Sequence, residues 1–126
     1  MFQLSGKTAL ITGASGGIGS AIAKNLSHQG AHVVLHGTRA GRLEELASEI
    51  GSNVSVVTAN LSDRDAVGSL VAEAAKATGA IDILVNNAGI TRDNLFMRMK
   101  DEEWDDVLEV NLTSSMLLCR SAIRAM

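Results

Sequence analysis

A glycine-rich run near the start of the chain, between an apolar segment and an amphipathic one, constrains the fold more than any other feature. The run is Thr12-Gly13-Ala14-Ser15-Gly16-Gly17-Ile18-Gly19. Residues 7–11 before it form a short apolar segment that predicts a buried strand. Apolar residues after it recur every three to four positions, which predicts a helix: Ile18, Ala21, Ile22, Ala23 and Leu26. The sequence therefore predicts a strand, a tight glycine turn and a helix in direct succession.

A turn of this kind favours the binding of a dinucleotide. Glycines let the backbone approach a pyrophosphate, and the helix N-terminus offers unpaired amides and the positive end of its dipole. Gly13, Gly17 and Gly19 have the spacing G-x-x-x-G-x-G instead of the common G-x-G-x-x-G. A phosphate-loop NTPase is excluded, because Ser20 stands where that motif needs lysine. A purely structural link between strand and helix is the alternative, and the two flanking elements favour binding.

Composition and charge exclude several functional classes. The 126 residues allow one domain at most, or part of one. A net charge of −3, with both signs interspersed, does not suggest a nucleic-acid partner. No apolar run is long enough to span a bilayer, and residues 1–7 lack the features of a signal peptide. The single cysteine, Cys119, fits a reducing compartment, so we expect a cytoplasmic protein in which this thiol is packed in a helix.

The histidines do not predict a metal site. His28, His32 and His36 are spaced by four, but the first lies near the end of a predicted helix and the other two lie along a predicted strand. They cannot share one helical face. We therefore expect surface or edge histidines and no bound metal.

Predicted strands alternate with predicted helices along the rest of the chain. Strands are predicted at residues 31–36, 53–59 and 81–85, and helices at residues 42–50, 62–79 and 101–126. Ser62, with Asp65 three residues later, resembles a capping box, and Gly79 is expected to end that helix. This order predicts an α/β fold of the Rossmann type, a doubly wound parallel sheet with strand order 3-2-1-4. A ligand of such a sheet binds at the carboxyl ends of the strands.

The residues after the second predicted strand indicate the cofactor. Dinucleotide sites that prefer NAD place an acidic residue there to bind the ribose hydroxyls. This chain has Thr38 and Arg39 instead, a hydroxyl donor and a cation that pairs with a 2′-phosphate. The alternative is that Arg39 is a solvated residue that opens the next helix. The pattern favours NADPH.

Amides and a glycine follow the third and fourth predicted strands. Asn60 and Leu61 are placed to bond and pack against an adenine, and a turn residue before the Ser62 cap is a nearly equal alternative for Asn60. The turn Asn86-Asn87-Ala88-Gly89 is suited to a close approach to a ligand, and a purely structural turn is an equal alternative.

Asn111 places an amide within an apolar helical stripe. That stripe, which we expect to face inward, consists of Trp104, Val107, Leu108, Asn111 and Ser115. A buried amide needs partners, so we expect Asn111 to bond to backbone or to ordered water. A structural link between helix and sheet is the simpler interpretation.

Taken together, these motifs resemble the short-chain dehydrogenase/reductase family over essentially the whole chain. The family pattern T-G-x-x-x-G-x-G matches the run from Thr12 to Gly19, N-N-A-G matches the turn from Asn86 to Gly89, and the family's structural and proton-relay asparagine matches Asn111. Residues 86–104 are similar to the bacterial 3-oxoacyl-[acyl-carrier-protein] reductases of fatty-acid synthesis.

This resemblance implies a specific set of functions. It implies an NADPH-dependent oxidoreductase that reduces a 3-oxoacyl group on acyl carrier protein to the 3-hydroxyacyl form, assembles as a homotetramer and is cytoplasmic. Asn111 is the implied catalytic residue. The implied cofactor-binding residues are Gly13, Ser15, Gly16, Gly17, Ile18, Gly19, Thr38, Arg39, Asn60, Leu61, Asn87, Ala88 and Gly89.

The chain also departs from the family pattern. Family members commonly have aspartate where Asn60 stands, and many ketoacyl reductases have arginine where Gly16 stands, which leaves more of the 2′-phosphate binding to Arg39. The family's catalytic serine and Tyr-x-x-x-Lys have no match, and the sequence contains no tyrosine. We therefore expect residues 1–126 to be the N-terminal portion of a single NADP-binding domain, truncated before its C-terminal strands. The alternatives are a non-catalytic nucleotide-binding module and a reductase of another carbonyl substrate.

Overall fold

Four strands alternate with helices in a computed structural model that describes residues 3–126, the side chain of Ala125 excepted. The strands are β1 (Thr8–Ile11), β2 (His32–Gly37), β3 (Val54–Thr58) and β4 (Ile83–Val85). The helices are α1 (Gly17–His28), α2 (Ala40–Ile50), α3 (Arg64–Ala75), α4 (Asp101–Leu108) and α5 (Ser114–Ala125). A short 3-10 turn covers Phe96–Arg98, and a π-helical turn, Glu109–Thr113, joins α4 to α5. Met1 and Phe2, within the segment considered for a signal peptide, lie outside the described residues.

All strand pairs are parallel, in the order β3-β2-β1-β4. Leu10 at the centre of β1 is in register with Val34 of β2 and with Leu84 of β4. The predicted strand order 3-2-1-4 is thus confirmed.

Side chains alternate between the two faces of the sheet along each strand, and helices cover the apolar side chains on both faces. Leu10 and Val34 point to the face covered by α3 and α5, where they pack with Leu70 and Leu118. The neighbouring residues of the same strands point to the face covered by α1 and α2 and pack there with Ala23, Leu43 and Leu46. The carboxyl edge of the sheet is therefore held between two packed layers.

Several predicted boundaries differ from the structure. Helix α3 ends at Ala75 and not at Gly79, and α2 begins at Ala40 instead of residue 42. Asp63, not Ser62, caps α3, since its carboxylate accepts the amides of Asp65 and Ala66 at 3.0 and 3.3 Å. Strand β4 begins only at Ile83, because the Asp82 carboxylate accepts the Thr8 amide at 2.9 Å and replaces a strand carbonyl there.

The predicted inward face of the helix over residues 101–126 is wrong. Trp104 is 58% exposed and Leu108 is 38% exposed, and Asn111 is exposed as well. The buried side chains follow a different line, at intervals of four: Val110, Ser114, Leu118 and Ala122. The π-helical turn places an extra residue in the helix, and the contact of α5 with α3 decides which face is buried.

The prediction of a packed Cys119 thiol is also wrong. This residue lies on the outer side of α5 and is exposed. Among residues 3–126, no helix is both long enough and apolar enough to cross a membrane.

Candidate functional site

A cleft of about 640 Å³ opens at the carboxyl edge of the sheet. The glycine turn forms one wall, and the segments that follow β2, β3 and β4 form the rest. Every residue that the sequence assigned to cofactor binding lines this cleft, except Arg39. The additional lining residues are His36, Gly37, Ser62, Ile90, Arg92 and Val110.

The glycine turn is shaped by two close backbone approaches. Gly13 has a φ of +64°, and a Cβ there would lie 2.8 Å from the Ala88 Cα. A Cβ on Gly19 would clash with the backbone carbonyl oxygen of Gly13 and would lie 2.6 Å from the side-chain amide nitrogen of Asn87. A Cβ on Gly17, by contrast, has no heavy atom within 4 Å. Gly13 and Gly19 therefore allow the turn to lie against the segment after β4, whereas Gly17 leaves open space at the helix start.

The N-terminus of α1 suits an anion. Its N-cap residue is Gly16, no described side chain caps it, and its first turn contains no acidic residue. The amides of the first turn and the positive end of the helix dipole are thus turned toward the cleft without a competing carboxylate. Together with the glycine backbone, this geometry fits a pyrophosphate.

Thr12 connects β1 to the turn after β4, and the sequence analysis did not assign it to the site. Its hydroxyl accepts the backbone amides of Asn87 and Ala88, both at 3.0 Å, and lies 3.3 Å from the Val85 carbonyl, to which it donates. The side-chain amide of Asn87 donates in return to the carbonyls of Thr12 and Gly13, both at 3.1 Å. The geometry of the glycine turn thus depends on side chains that follow both strands. The detectable signal was a hydroxyl on a buried residue at the end of β1.

His36 is the second residue that the sequence analysis missed. It was expected at the surface or at a sheet edge, but it is only 2% exposed and lies in β2, between β1 and β3. Its Nδ1 lies 3.2 Å from the Gly13 amide, and its Nε2 lies 3.0 Å from the Ala59 carbonyl. Burial lowers the pKa of His36, and the hydrogen bond to Ala59 acts in the opposite direction. A neutral imidazole therefore stands beneath the glycine turn.

The segments after β2 and β3 form the other end of the cleft. Thr38 and Arg39 are both exposed, and Thr38 lines the cleft while Arg39 forms the N-cap position of α2 beside it. Asn60 lines the cleft, and its side-chain oxygen accepts the Ser62 amide at 2.9 Å. Asn60 therefore makes the turn contact that the sequence offered as the alternative to adenine binding. Its side-chain nitrogen can still donate a hydrogen bond to a ligand in the cleft.

Asn111 bonds to backbone, as predicted, although it does so from an exposed position. It accepts the Ile90 amide and donates to the Ile90 carbonyl. The π-helical turn that contains Asn111 is also held from α3, since Arg64 pairs with Glu109 through two bonds of 2.7 and 3.1 Å. The hydrogen bond from Arg64 lowers the pKa of Glu109, so this carboxylate stays ionised.

Arg92 is the charged side chain in the wall of the cleft. The other described lining residues are glycine, apolar residues, hydroxyl and amide residues and the neutral His36. Arg92 lies beyond Gly89 and Ile90, on the segment that follows β4. This end of the cleft therefore presents a cation to whatever lies there.

Two further groups do not form sites. The exposed Cys119 thiol accepts a hydrogen bond from the Asn86 amide at 3.3 Å, and α5 contacts α3 through its opposite side, which carries Leu118 and Ala122. Within residues 3–126, no cluster of three or more histidine, cysteine, aspartate or glutamate side chains is arranged to hold a metal ion.

A sequence model of the short chain dehydrogenase family matches residues 7–126. Nodulation protein G of Rhizobium sp. (strain N33) is 56% identical over 126 residues, which is 100% of this chain and 51% of that protein. The 3-oxoacyl-[acyl-carrier-protein] reductase FabG of Escherichia coli (strain K12) is 46% identical over 121 residues, 96% of this chain and 50% of that protein. The chain thus spans about half the length of the curated relatives that it matches.

Solved structures of short-chain oxidoreductases share the fold of this chain. A metagenomic short-chain oxidoreductase in complex with NADP superposes with a TM-score of 0.92 at 39% identity, over 98% of this chain and 57% of that chain. A short-chain dehydrogenase/reductase from Brucella melitensis superposes with a TM-score of 0.93 at 35% identity, over 99% of this chain and 52% of that chain.

Proposed function

The chain belongs to the short-chain dehydrogenase family, and on that premise we propose that it supplies the cofactor-binding half of an NADPH-dependent 3-oxoacyl-[acyl-carrier-protein] reductase. The observation that carries this proposal is the cleft at the carboxyl edge of the sheet, with its glycine turn and uncapped helix N-terminus. A bound NADPH supplies hydride. The residues of this chain would bind and orient it in the cleft.

The residues divide the proposed cofactor site into three parts. The turn from Gly13 to Gly19 holds the pyrophosphate, and the segment after β3, with Asn60 and Leu61, holds the adenine. Asn87, Ala88 and Gly89 form the wall on the nicotinamide side.

Selection of NADPH falls to the end of β2. Thr38 and Arg39 follow this strand, no carboxylate is present there to repel a 2′-phosphate, and Arg39 stands at the start of α2, beside the cleft. The related oxidoreductase in complex with NADP supports the same preference.

A 3-oxoacyl thioester on acyl carrier protein is the substrate class that the relatives favour. Reductases of this substrate from several bacteria match the chain at 44–46% identity. Nodulation protein G, at 56% and 53%, also matches, which keeps another carbonyl substrate as the alternative.

Protonation of the forming alkoxide requires an acidic group beside the substrate carbonyl. The sequence has no tyrosine, and Asn111 has no acidic proton of its own. Asn111 is proposed to support a proton relay through its position beside Ile90.

The second candidate function, which needs no proton donor, is a non-catalytic nucleotide-binding module. An intact mass near 13.2 kDa in a protein with normal reductase turnover and no second chain would contradict the view that further residues supply the acid.

A homotetrameric assembly in the cytoplasm completes the proposal. Large apolar side chains on the outer side of α4, the π turn and α5 are exposed: Trp104, Leu108, Leu112, Met116 and Ile123. A stripe of this size is typical of a surface that another polypeptide covers.

Calorimetric titration of the chain with NADPH and NADH tests the cofactor half of the proposal. We expect NADPH to bind about tenfold tighter or more, since a charge-assisted bond to the 2′-phosphate contributes roughly 1.5–3 kcal/mol. Equal or tighter binding of NADH would overturn the cofactor assignment.

Activity of the intact protein tests the other half. We expect it to oxidise NADPH when 3-oxoacyl-acyl carrier protein is added. Tight NADPH binding without turnover on this or a free 3-oxoacyl thioester would favour the nucleotide-binding module.

A further inference from the structure

We propose that His36 is a positioning residue of the dinucleotide site, which holds the glycine turn in its binding shape only as the neutral tautomer that carries its proton on Nε2. This inference rests on the proposed dinucleotide-binding function.

The first step is the assignment of the tautomer from the two ring contacts. The Gly13 backbone amide is a donor, so Nδ1, 3.2 Å away, accepts and carries no proton. The Ala59 carbonyl is an acceptor, so Nε2, 3.0 Å away, carries the proton and donates. Only the Nε2–H form of a neutral imidazole satisfies both partners.

The second step is that one residue binds the first two amides of the turn. The His36 ring accepts from Gly13, and the His36 backbone carbonyl accepts from Ala14 at 2.8 Å. These two amides are thereby directed into the protein. The Gly16 amide donates to the Gly13 carbonyl at 3.3 Å, and the amides at the start of α1 are left for an anion. Gly13 also lies against Ala88, where a Cβ would be 2.8 Å from the Cα, so a displacement of Gly13 changes the cleft wall on both sides.

The third step concerns protonation. A proton on Nδ1 would put two donors, the ring N–H and the Gly13 N–H, against each other in a site that is 2% exposed. Relief requires movement of either the ring or the turn. Protonation therefore opposes the shape that binds a pyrophosphate.

The surroundings provide no charge that would stabilise an imidazolium. Strands β1 and β3 and the glycine turn, which surround His36, contain no charged residue. The segments that adjoin these elements carry the charged side chains of Arg39, Asp63, Arg64, Asp65 and Arg92. All five are exposed, and none of them bonds to the ring. Burial is accordingly the main cause of the lowered pKa of His36, and the bond to Ala59 only opposes it.

Nitrogen NMR of the ¹⁵N-labelled chain tests the tautomer without any cofactor. The chain has three histidines, so His28→Gln and His32→Gln variants assign the His36 signals by elimination. We expect an unprotonated Nδ1 and a protonated Nε2 at pH 7.5, and because burial lowers the pKa of His36, we expect Nδ1 to gain a proton only at a lower pH than an ordinary histidine does. A protonated Nδ1 at pH 7 would overturn the proposal.

Calorimetric titration with NADP⁺, which tolerates acid, tests the effect on binding. His36→Leu removes both ring contacts, and we expect the dissociation constant for NADP⁺ to rise about tenfold at pH 7.5. His36→Gln retains an acceptor and a donor, and we expect it to bind within about threefold of the unmodified chain. His32→Gln is the matched control, because His32 lies at the other end of β2 and bonds to Ser55 outside the cleft.

The pH profile separates positioning from a merely structural role. Below the lowered pKa of His36, we expect the unmodified chain to lose affinity by up to tenfold per pH unit relative to His36→Gln. Comparison at equal pH removes the titration of the 2′-phosphate itself, which occurs near pH 6.

Identical pH profiles for the two proteins, or unchanged binding by a folded His36→Leu variant, would overturn the proposal. Absence of NADP⁺ binding by the unmodified chain would contradict the proposed function instead, and the NMR measurement would still decide the tautomer.

Discussion

Asn111 and Ile90 form a reciprocal pair, in which the Asn111 side chain donates to the Ile90 carbonyl at 2.9 Å and accepts the Ile90 amide at 2.8 Å. The primary amide thus acts as a strand neighbour for a segment that has no regular secondary structure. It fixes the wall of the cleft that continues from Gly89 to the helix over residues 101–126. A structural role for Asn111 is therefore present in the described chain, whether or not the residue also supports proton transfer.

Replacement of Asn111 by leucine removes both partners of Ile90. We expect Asn111→Leu to lower the free energy of unfolding by about 1–3 kcal/mol, because a backbone amide and a carbonyl lose their bonds. In the intact protein, we also expect turnover to fall. Urea unfolding and steady-state kinetics measure the two effects.

Asn25→Leu is the control for this substitution, since Asn25 is an exposed asparagine on α1. Loss of stability with unchanged turnover would leave Asn111 a structural tie alone. Normal values of both would exclude both roles.

Arg39 is expected to select NADPH through the 2′-phosphate. Arg39→Ala should raise the dissociation constant for NADPH about tenfold or more and leave that for NADH unchanged, because only the former has the additional anion. In the intact protein, the KM for NADPH should rise in the same way. Calorimetry with both cofactors measures the difference.

The matched control is Arg42→Ala, which removes another exposed arginine three positions further along α2. Equal effects of the two substitutions on NADPH binding would show a general electrostatic contribution instead of a specific contact. An unchanged affinity in Arg39→Ala would argue against Arg39 as the phosphate partner.

The strand order could be predicted from sequence because apolar strands and amphipathic helices alternate with unambiguous periods. Residues 43–50 and 67–75 each have a single apolar face, and that face is the one that packs on the sheet. The glycine turn was identifiable for a similar reason. The close approach at Gly19 requires a residue without a side chain. At Gly17, the absence of a side chain leaves open space in the cleft.

The helix over residues 101–126 was misjudged because it has apolar residues on two sides. Leu108 and Leu112 lie on the exposed side, and Val110 and Leu118 lie on the buried side. Sequence periodicity cannot choose between two such faces. The contact of α5 with α3 determines which face is buried. The π-helical turn rotates the side chains of α5 relative to those of α4.

His36 was missed for a different physical reason. A polar residue at the end of a strand is usually exposed. His36 instead lies on the same buried face of the sheet as Val34, and its ring bonds to two partners in other segments. Those partners are backbone atoms of Gly13 and Ala59, each 23 residues away in the chain. Backbone partners leave no trace in side-chain patterns.

The glycines of the turn should respond differently to one added methyl group. Gly19→Ala places a Cβ against the Gly13 carbonyl oxygen and the side-chain amide nitrogen of Asn87, so we expect a loss of roughly 1–3 kcal/mol in the free energy of unfolding. Gly17→Ala meets no atom within 4 Å and replaces a helical glycine, so stability should be unchanged or slightly higher. Thermal unfolding of the two variants measures this contrast.

Gly17→Ala should nonetheless weaken NADPH binding, because the new methyl group enters the space proposed for the pyrophosphate. Gly41→Ala is the control, since Gly41 is exposed on α2 with no atom within 4 Å of its added Cβ and lies outside the cleft. Full NADPH affinity in Gly17→Ala would place the pyrophosphate elsewhere.

Arg92 is expected to bind an anionic part of the substrate. It is the charged member of the described cleft lining and lies on the segment after β4, at the end away from Thr38 and Asn60. A 3-oxoacyl group delivered by acyl carrier protein arrives on a phosphopantetheine arm, whose phosphate pairs well with a guanidinium. In the intact protein, Arg92→Gln should therefore raise the KM for the carrier-bound substrate about tenfold or more and leave the KM for a short neutral 3-oxoacyl thioester nearly unchanged.

Arg98→Gln, in the 3-10 turn outside the cleft, is the control. An equal rise in KM for both substrates would place Arg92 against the cofactor or the acyl group instead of the phosphate.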